Sequence, residues 1–442
     1  MPKPSKLTGL LIFLAIYFVC LVFLLPRQPL WLDEILTLIV TQKPDWPSFL
    51  ASLRALPSIP FEPLFRGIPI QLAGYSLFTA RVSSAVFSVG ACAGTFVLSN
   101  RLGLRRPLLA VLLLAACPLQ LRYATEARPY AFALCWSVWA TVIFLAWLDH
   151  PGSRVLAWLY GFMTVISVYV LAFALFVPAA HFLWLLASPK RWSGNKRVMA
   201  ICGSSLALAA LAIVPWYLFA RRDWQAYSSA LRLGSYRNSR PIAIVVHELT
   251  GAGYVGNALL ILGAILGIRR VGPVRGFWIG YILVPVVLAM AGDLTFGYFL
   301  AIRQLIFVLP PLLLMFAVGA EPLGWKGCLL VAAFLTASIY ADVSWFRRPR
   351  EDWQAAAAAA AVAQENACVT FAPPDAEKLY LFFQPELRAR ECTTETDAAM
   401  LAVSPYDPDH AYESARRGLN ARGLTLKSRQ EFHGPRVELY AK

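Results

Sequence analysis

The dominant pattern along residues 1–349 is a series of long apolar runs separated by short polar segments. Runs of this length match what an α-helix needs to cross the hydrocarbon core of a bilayer. The first run is too long for the apolar region of a cleaved signal peptide, so we interpret it as a retained helix. The pattern predicts eleven membrane spans, at about 7–25, 82–99, 107–122, 130–148, 155–170, 171–187, 199–219, 253–268, 276–292, 302–319 and 325–343.

The stretch 155–187 fits either two short helices joined by a tight turn or one long tilted helix. The basic residues distinguish these alternatives, because one helix would reverse the side of every later loop. With two helices and a cytoplasmic N-terminus, the short outer loops hold about three basic residues, namely Arg122, Arg128 and Arg303. The short inner loops then hold Arg101, Arg105, Arg106, Arg154, Lys190, Arg191, Lys196, Arg197, Arg269, Arg270, Arg275 and Lys326. The positive-inside rule therefore favours two helices.

This topology places the C-terminus outside and leaves two long outer loops, at about 27–81 and 220–252. After residue 350 charged residues become frequent and no run can span a membrane. The alternation there predicts helices at 351–366, 375–384 and 408–422 and strands at 367–372, 399–404, 424–431 and 435–441. The sequence thus predicts an α-helical polytopic membrane protein with about 11 transmembrane helices (1–349) and a small C-terminal α/β domain outside the membrane (350–442).

Composition supports this class of protein and excludes others. Of the 442 residues, 58% are hydrophobic and 15% are charged, and the mean hydropathy is +0.58. These values exclude a soluble enzyme, a secreted disulfide scaffold and a disordered chain. The net charge of +15 is explained by loops that set topology and by outer loops that meet phosphate. No nucleic-acid recognition motif is present, so we expect membrane lipids and no nucleic acid as partners.

The cysteines leave one question open. Six of the eight lie in predicted spans, and only Cys368 and Cys392 lie in the tail. A disulfide between these two is compatible with an oxidising outer compartment, and two free thiols are equally compatible with the sequence. The sequence contains neither a Cys-x-x-Cys motif nor a histidine-rich cluster that would indicate a structural metal.

The strongest chemical signal is Trp31-Leu32-Asp33-Glu34, which follows the first span on the outer side. Two adjacent carboxylates at a membrane surface are costly to desolvate. A positioned carboxylate can accept a proton from an attacking hydroxyl, as a general base does. The alternative is a solvated helix start, because Asp favours the N-cap and acidic residues favour the first turn.

A second segment, Thr125-Glu126-Ala127-Arg128-Pro129-Tyr130-Ala131, faces the same predicted side. Glu126 and Arg128 can orient a substrate and neutralise a leaving phosphate, or they can form a surface ion pair of little energetic value. Arg303 begins a late span, where it either extends to the interface or binds an anion. Five further arginines could hold an anionic headgroup or serve a general role at the membrane surface, namely Arg221, Arg222, Arg232, Arg237 and Arg240.

In order and spacing these segments resemble the polytopic C-type (GT-C) glycosyltransferases. The resemblance is strongest to bacterial relatives of the dolichyl-phosphate-mannose protein mannosyltransferases and to lipid A aminoarabinose transferases. Asp33-Glu34 resembles their first-loop Asp-Glu signature, and residues 125–131 are similar to their Glu-Ala-Arg-x-Tyr motif. Residues 81–84 are similar to their Arg-x-x-Ser segment, and Arg303 matches an arginine that begins a late span.

Two other segments bear on this resemblance. Residues 350–354 resemble the opening of the family's outer tail, whereas Phe61-Glu62 stands where many members have His-Pro. Residues 169–175 also lack the Thr-His that many members carry after the tyrosine. Both departures remove histidines near the expected pocket, so they concern sugar and acceptor specificity more than reaction class.

The resemblance implies an inverting transfer of a sugar from a polyprenyl-phosphate donor to a hydroxyl of a lipid, glycan or protein acceptor. The reaction would occur on the outer face of a bacterial plasma (inner) membrane. Asp33 would be the general base beside Glu34, and Arg128 and Arg303 would stabilise the leaving phosphate. The other substrate-binding residues would be Arg81, Glu126 and Tyr130. A divalent cation bridging phosphate and carboxylate is compatible with this chemistry, although no residue requires it.

The alternative function is a membrane transporter or a lipid-linked glycan flippase. Such proteins tend to carry inverted repeats, broken helices and ionisable groups near the membrane midplane. Here the predicted spans are nearly free of charge, and the acidic residues gather near one surface. The sequence also lacks a glycine-rich nucleotide cradle, which favours a lipid-linked donor over a nucleotide sugar.

Overall fold

The computed structural model describes residues 4–43, 45–55, 59–188, 196–233, 245, 247–296, 300–364, 367–387, 397–406 and 410–442. The α-helices among them are α1 (Pro4–Leu24), α2 (Leu32–Thr41), α3 (Trp46–Ala55), α4 (Phe61–Ala73), α5 (Leu77–Arg101), α6 (Leu108–Ala115), α7 (Pro118–Ala124), α8 (Tyr130–Asp149), α9 (Arg154–Val170), α10 (Phe176–Leu186), α11 (Lys196–Leu233), α12 (Gly253–Ile268), α13 (Arg275–Phe296), α14 (Leu309–Ala320), α15 (Trp325–Arg347), α16 (Trp353–Gln364), α17 (Glu377–Phe383) and α18 (Ala411–Ala421). The strands are β1 (Cys368–Ala372), β2 (Ala398–Val403), β3 (Thr425–Glu431) and β4 (Arg436–Ala441).

Apolar helices dominate the first three quarters of the chain. Within the described residues, seven helices are long and apolar enough to cross a membrane, and three shorter apolar helices accompany them. These ten correspond to ten of the eleven predicted spans. The other prediction, 107–122, is divided into α6 and α7, because the chain is extended at Cys117 before Pro118 begins α7.

The stretch 155–187 forms two helices, as the basic residues predicted. The break is at Leu171, whose backbone is extended (φ −162°, ψ 123°). The two predicted long loops are partly helical in the structure. Residues 27–81 contain α2, α3 and α4, and α11 continues to Leu233 inside the second predicted loop. Helices α2–α4 have 10 to 13 residues, too few for a search based on spanning runs to detect.

The chain divides into two compact units that each combine distant segments. The first, which we call the bundle unit, contains residues 1–25, 59–221 and 237–345. The second, the tail unit, contains residues 26–58, 222–236 and 346–442. Residues 27–58 of the first predicted outer loop are therefore part of the same unit as the C-terminal region, whereas residues 59–81 belong to the bundle unit.

Glycines allow close helix packing in the bundle unit. A Cβ atom at Gly94 of α5 would lie 2.6 Å from Val138 of α8. A Cβ atom at Gly267 of α12 would lie only 1.8 Å from the carbonyl oxygen of Met315 in α14, and Gly319 approaches α12 in a similar way. Small residues that let backbones approach are typical of helix contacts within membranes. These contacts fix α8 and α14, which begin near two of the predicted site residues.

The tail unit contains a mixed four-stranded sheet of order β1-β2-β4-β3, in which β1 and β2 are parallel and the other pairs are antiparallel. The elements after residue 350 follow the predicted order. The ring of Tyr380 in α17 packs at a tilt against Phe371 on one face, with centroids 5.7 Å apart, and Leu419 of α18 belongs to the core on the other. Cys368 is disulfide-bonded, and Cys392 lies outside the described residues.

Candidate active site

Helix α2 carries the Asp-Glu pair in its first turn. The side chain of Glu34 is fully buried, whereas that of Asp33 is half-buried. The partial positive charge at a helix N-terminus favours a carboxylate in this turn. Asp33 is therefore the member of the pair with accessible surface, and Glu34 contributes to the packing of α2.

The N-terminus of α2 is capped from the start of the C-terminal region. Trp31 at the N-cap position provides no side-chain acceptor, and the carboxylate of Glu351 accepts a hydrogen bond from the backbone N–H of Leu32 at 3.1 Å. Glu351 also accepts hydrogen bonds from the indole of Trp353 at 2.7 Å and from the hydroxyl of Tyr406. One carboxylate thus joins α2 to two parts of the tail unit.

Arg350 binds the residues that precede α2. Its Nη1 donates to the side-chain oxygen of Gln28 at 3.0 Å, and its guanidinium lies 5.3 Å from the ring centroid of Trp31. Residues 350–354, for which the sequence suggested a resemblance but no role, therefore hold the segment that carries Asp33.

In the bundle unit, Tyr130 lies at the centre of a cationic cluster. It is the first residue of α8, and its hydroxyl accepts a hydrogen bond from Nε of Arg303 at 3.0 Å. The guanidinium carbons of Arg128 and Arg303 lie 5.7 and 6.0 Å from the Tyr130 ring centroid. The ring of Tyr123 packs edge-on against Tyr130, with centroids 4.6 Å apart. Two guanidinium groups thus converge on one phenol ring.

Glu126 belongs to the same cluster. Its side chain is 3% exposed, and the phenol of Tyr123 interacts electrostatically with Glu126, Arg128 and Arg303. This burial argues against the alternative of a surface ion pair. We call Tyr123, Glu126, Arg128, Tyr130 and Arg303 the arginine–tyrosine cluster.

The loop before α8 is held by buried polar side chains from α4 and α5. Ser84 donates to the carbonyl oxygen of Glu126 at 2.6 Å. Arg66 donates to the carbonyl oxygen of Arg128 at 3.3 Å and to Ser84 at 3.2 Å. Arg66 is fully buried and pairs with the carboxylate of Glu62. This network fixes the backbone at Glu126 and Arg128, the acidic and the basic residue of the motif.

Arg66 and Glu62 were missed by the sequence analysis. Their spacing of four residues is the spacing at which side chains meet on a helix, but hydropathy predicts a long loop over 27–81. Glu62 is also one of the residues that depart from the family pattern, and its carboxylate here compensates the charge of Arg66.

Arg81 contacts the end of α1. It is 1% exposed, and its Nη1 donates to the carbonyl oxygen of Leu25 at 2.6 Å. Leu25 immediately follows α1, so this bond satisfies a carbonyl at the end of that helix. A substrate-binding role for Arg81 stays a prediction.

The remaining predicted residues divide between the two units. Asp33 and Glu34 lie in the tail unit, whereas Glu126, Arg128, Tyr130, Arg303 and Arg81 lie in the bundle unit. Arg221 is exposed, and the side chains of Arg222, Arg232, Arg237 and Arg240 lie outside the described residues.

In the part of the chain that the structure describes, no group of three or more His, Cys, Asp or Glu residues is arranged to hold a metal ion.

Solved structures share this architecture. ArnT from Cupriavidus metallidurans in the apo state matches with a TM-score of 0.63 over 98% of each chain, at 11% sequence identity. The chain has the GT-C fold. Its apolar helices and this fold together point to an integral membrane protein. Neither a protein-family model nor a curated protein matches the sequence.

Two of the matching structures contain lipid phosphates. ArnT from Cupriavidus metallidurans bound to undecaprenyl phosphate has a TM-score of 0.59 and 14% identity, with 98% of each chain covered. The Archaeoglobus fulgidus oligosaccharyltransferase AglB, in complex with an inhibitory peptide and a dolichol-phosphate, has a TM-score of 0.51 and 14% identity. That match covers 89% of this chain and 61% of AglB.

Proposed function

We propose that this protein is a glycosyltransferase that moves a sugar from a polyprenyl-phosphate donor to an acceptor hydroxyl with inversion at the anomeric carbon. The observation that carries the proposal is the convergence of Arg128 and Arg303 on Tyr130. Two guanidinium groups held at one point suit a phosphate, because their planar N–H donors match its oxygen atoms. The shared fold with ArnT and AglB structures that hold lipid phosphates supports the same ligand class.

Asp33 is assigned as the general base. Its carboxylate accepts the proton of the acceptor hydroxyl, and that oxygen forms a bond to the anomeric carbon. The bond between this carbon and the donor phosphate breaks, and its electron pair leaves on the phosphate oxygen. Attack on the face opposite the leaving group inverts the configuration. The partial exposure of Asp33 beside a fully buried Glu34 supports this choice.

Arg128 and Arg303 are assigned to the leaving group. Negative charge accumulates on the phosphate as the glycosidic bond breaks, so fixed cations stabilise the transition state more than the bound donor. Tyr130 orients Arg303 through its hydroxyl, and Glu126 limits the net positive charge of the cluster. We place the reaction on the outer face of a bacterial plasma membrane, with the N-terminus in the cytoplasm and residues 350–442 outside.

The test is a transfer assay with membranes that contain the wild type, Asp33→Asn or Asp45→Asn. Radiolabelled polyprenyl-phosphate sugars are supplied, and label is counted in lipid, glycan and protein fractions. Asp45 is an exposed aspartate of the same unit, and asparagine keeps one oxygen that can accept from the Ser48 N–H while its amide can donate to the Ser48 hydroxyl. We expect Asp45→Asn to match the wild type and Asp33→Asn to be ~10²–10⁴-fold slower at equal protein level.

Each result has a defined meaning. Equal transfer by Asp33→Asn would remove Asp33 from the mechanism. A product that keeps the donor's anomeric configuration, read by NMR, would overturn inversion. Movement of labelled lipid across sealed vesicles without a new covalent product would favour the transporter alternative and contradict the proposed reaction.

A further inference from the structure

A cavity of about 650 Å³ lies in the bundle unit among α1, α5 and α6. Its volume is within the range of ligand-binding pockets. Its walls are apolar and its rim carries three basic side chains. The wall is formed by Phe13, Phe96, Pro107, Leu108, Leu109 and Leu112, and the rim by Lys6, Arg105 and Arg106.

The cavity is separate from the arginine–tyrosine cluster. Ser84, which holds the cluster's loop, and Phe96 of the cavity wall are twelve residues apart in α5. At the rise of an α-helix this separation is about 18 Å. The three rim cations also belong to the end of the bundle that the positive-inside rule assigns to the cytoplasm.

The rim side chains are available to an anion. Both oxygens of Glu321 accept hydrogen bonds from backbone N–H groups, that of Arg105 at 3.1 Å and that of Arg106 at 2.7 Å. These bonds fix the backbone of the loop and leave its guanidinium groups exposed. Among the described residues, no carboxylate forms an ion pair with Lys6, Arg105 or Arg106.

Charge and apolar surface are arranged along one direction. Lys6 and Phe13 are seven residues apart on α1, so the cationic rim and the deeper apolar wall are separated by about 10 Å. Such a site fits a ligand with an anionic head and a hydrocarbon chain. A soluble sugar or nucleotide would leave its polar groups without partners against the apolar wall.

We propose that this cavity binds an anionic glycerophospholipid of the cytoplasmic leaflet. The phosphate lies against Lys6, Arg105 and Arg106, and one acyl chain follows the wall formed by Phe13, Phe96 and Leu112. A zwitterionic lipid fits less well, because its ammonium group meets the same three cations. The proposal concerns a structural lipid and does not depend on the glycosyltransferase reaction.

The test is native mass spectrometry of the purified full-length protein in detergent, titrated with phosphatidylglycerol or phosphatidylcholine. The variant Lys6→Gln/Arg105→Gln/Arg106→Gln removes the rim charges. The control Arg154→Gln/Arg269→Gln/Arg275→Gln removes three exposed charges from the same predicted side, and none of these residues lines the cavity. Leu112→Trp fills the apolar wall and keeps every charge. Thermal unfolding in detergent verifies that each variant is folded.

We expect the wild type and the control to bind phosphatidylglycerol more tightly than phosphatidylcholine. Each basic residue near a membrane surface contributes roughly five-fold to binding of an anionic lipid, so the rim variant should lose about 100-fold. Leu112→Trp should also weaken binding, since the acyl chain loses its wall.

Three outcomes would overturn the proposal. Equal loss in the rim and control variants would mean general electrostatic attraction rather than a site. Unchanged binding in the rim variant would exclude the cavity. Equally tight rim-dependent binding of glycerol 3-phosphate would remove the acyl chain from recognition, and stronger rim-dependent binding of undecaprenyl phosphate would identify a different lipid.

Discussion

The backbone N–H of Leu32 donates a hydrogen bond to the carboxylate of Glu351, which lies 319 residues further along the chain. The helix that carries Asp33 is therefore capped by a residue of the C-terminal region. A side-chain cap satisfies a backbone donor that the helix itself leaves without an acceptor. The position of Asp33 consequently depends on a residue that no local sequence pattern connects with it.

Glu351→Ala should loosen the first turn of α2. The substitution removes the acceptor of Leu32, Trp353 and Tyr406, and the loss of a cap or a charged hydrogen-bond partner costs about 1–3 kcal/mol. Hydrogen–deuterium exchange of a peptide covering residues 29–36 should become faster. Glu386→Ala, which changes an exposed glutamate of the same unit, should leave it unchanged. Unaltered exchange in Glu351→Ala would show that the cap is dispensable.

Tyr130→Phe and Arg303→Lys should separate the two contacts of the cationic cluster. Tyr130→Phe keeps the aromatic ring and removes the hydroxyl that Arg303 binds, so a loss of about 10- to 150-fold in kcat/KM is expected for one hydrogen bond to a charged group. Arg303→Lys keeps the charge and loses the planar donors, and should cost more. Transfer kinetics with a lipid-phosphate donor measure both. A larger effect of Tyr130→Phe would contradict the phosphate assignment of Arg303.

Glu62→Gln should destabilise the bundle unit strongly. It leaves the fully buried guanidinium of Arg66 without its carboxylate, and breaking a buried pair in this way costs about 3–5 kcal/mol. The double variant Glu62→Gln/Arg66→Met removes both charges and should recover part of the loss. Asp149→Asn breaks the exposed pair with Arg101 and should cost about 0–1 kcal/mol. Thermal unfolding in detergent tests this ranking of stability losses, in which Glu62→Gln loses most and Asp149→Asn least. Equal Tm values for the wild type and Glu62→Gln would refute it.

Gly267→Ala should disturb the contact between α12 and α14. Its new Cβ would lie 1.8 Å from the Met315 carbonyl oxygen, and overpacking of this kind costs about 1–3 kcal/mol or more. Gly280→Ala is the matched control, because Gly280 is also helical and a Cβ there meets no atom within 4 Å. The control should have a Tm equal to or above that of the wild type. Equal Tm values for Gly267→Ala and the wild type would mean that the two helices can separate without cost.

Hydropathy predicted the parts of this fold that depend on long continuous runs. The division of 155–187 at Leu171 followed from the side assigned to the basic residues, and the order of elements after residue 350 followed from short-range alternation. The division of 107–122 at Cys117 was missed, because the run remains apolar on both sides of Pro118 and hydropathy does not register a lost hydrogen bond.

The sequence predicted which segments carry the candidate site residues, but it did not predict the residues that hold those segments in place. The 125–131 motif and Arg303 are recognisable as segments, and the structure brings them together at Tyr130. The residues that support them were not recognisable, because Arg66 and Glu351 act through contacts with backbone groups elsewhere in the chain. Any side chain can approach a backbone carbonyl or N–H, so such contacts leave no pattern in the sequence.

The tail unit is formed by segments that lie far apart in the chain, and this has a consequence for biosynthesis. Residues 26–58 are synthesised before most of the bundle unit, whereas their partners in 346–442 are synthesised after it. Since chains are synthesised at about 5–20 residues per second, α2 waits tens of seconds for Glu351 and the sheet. A chain truncated before residue 346 can insert its apolar helices but lacks the structure that holds Asp33. Under the proposed mechanism, polypeptides released before these partners are made would therefore lack a positioned general base and remain catalytically silent.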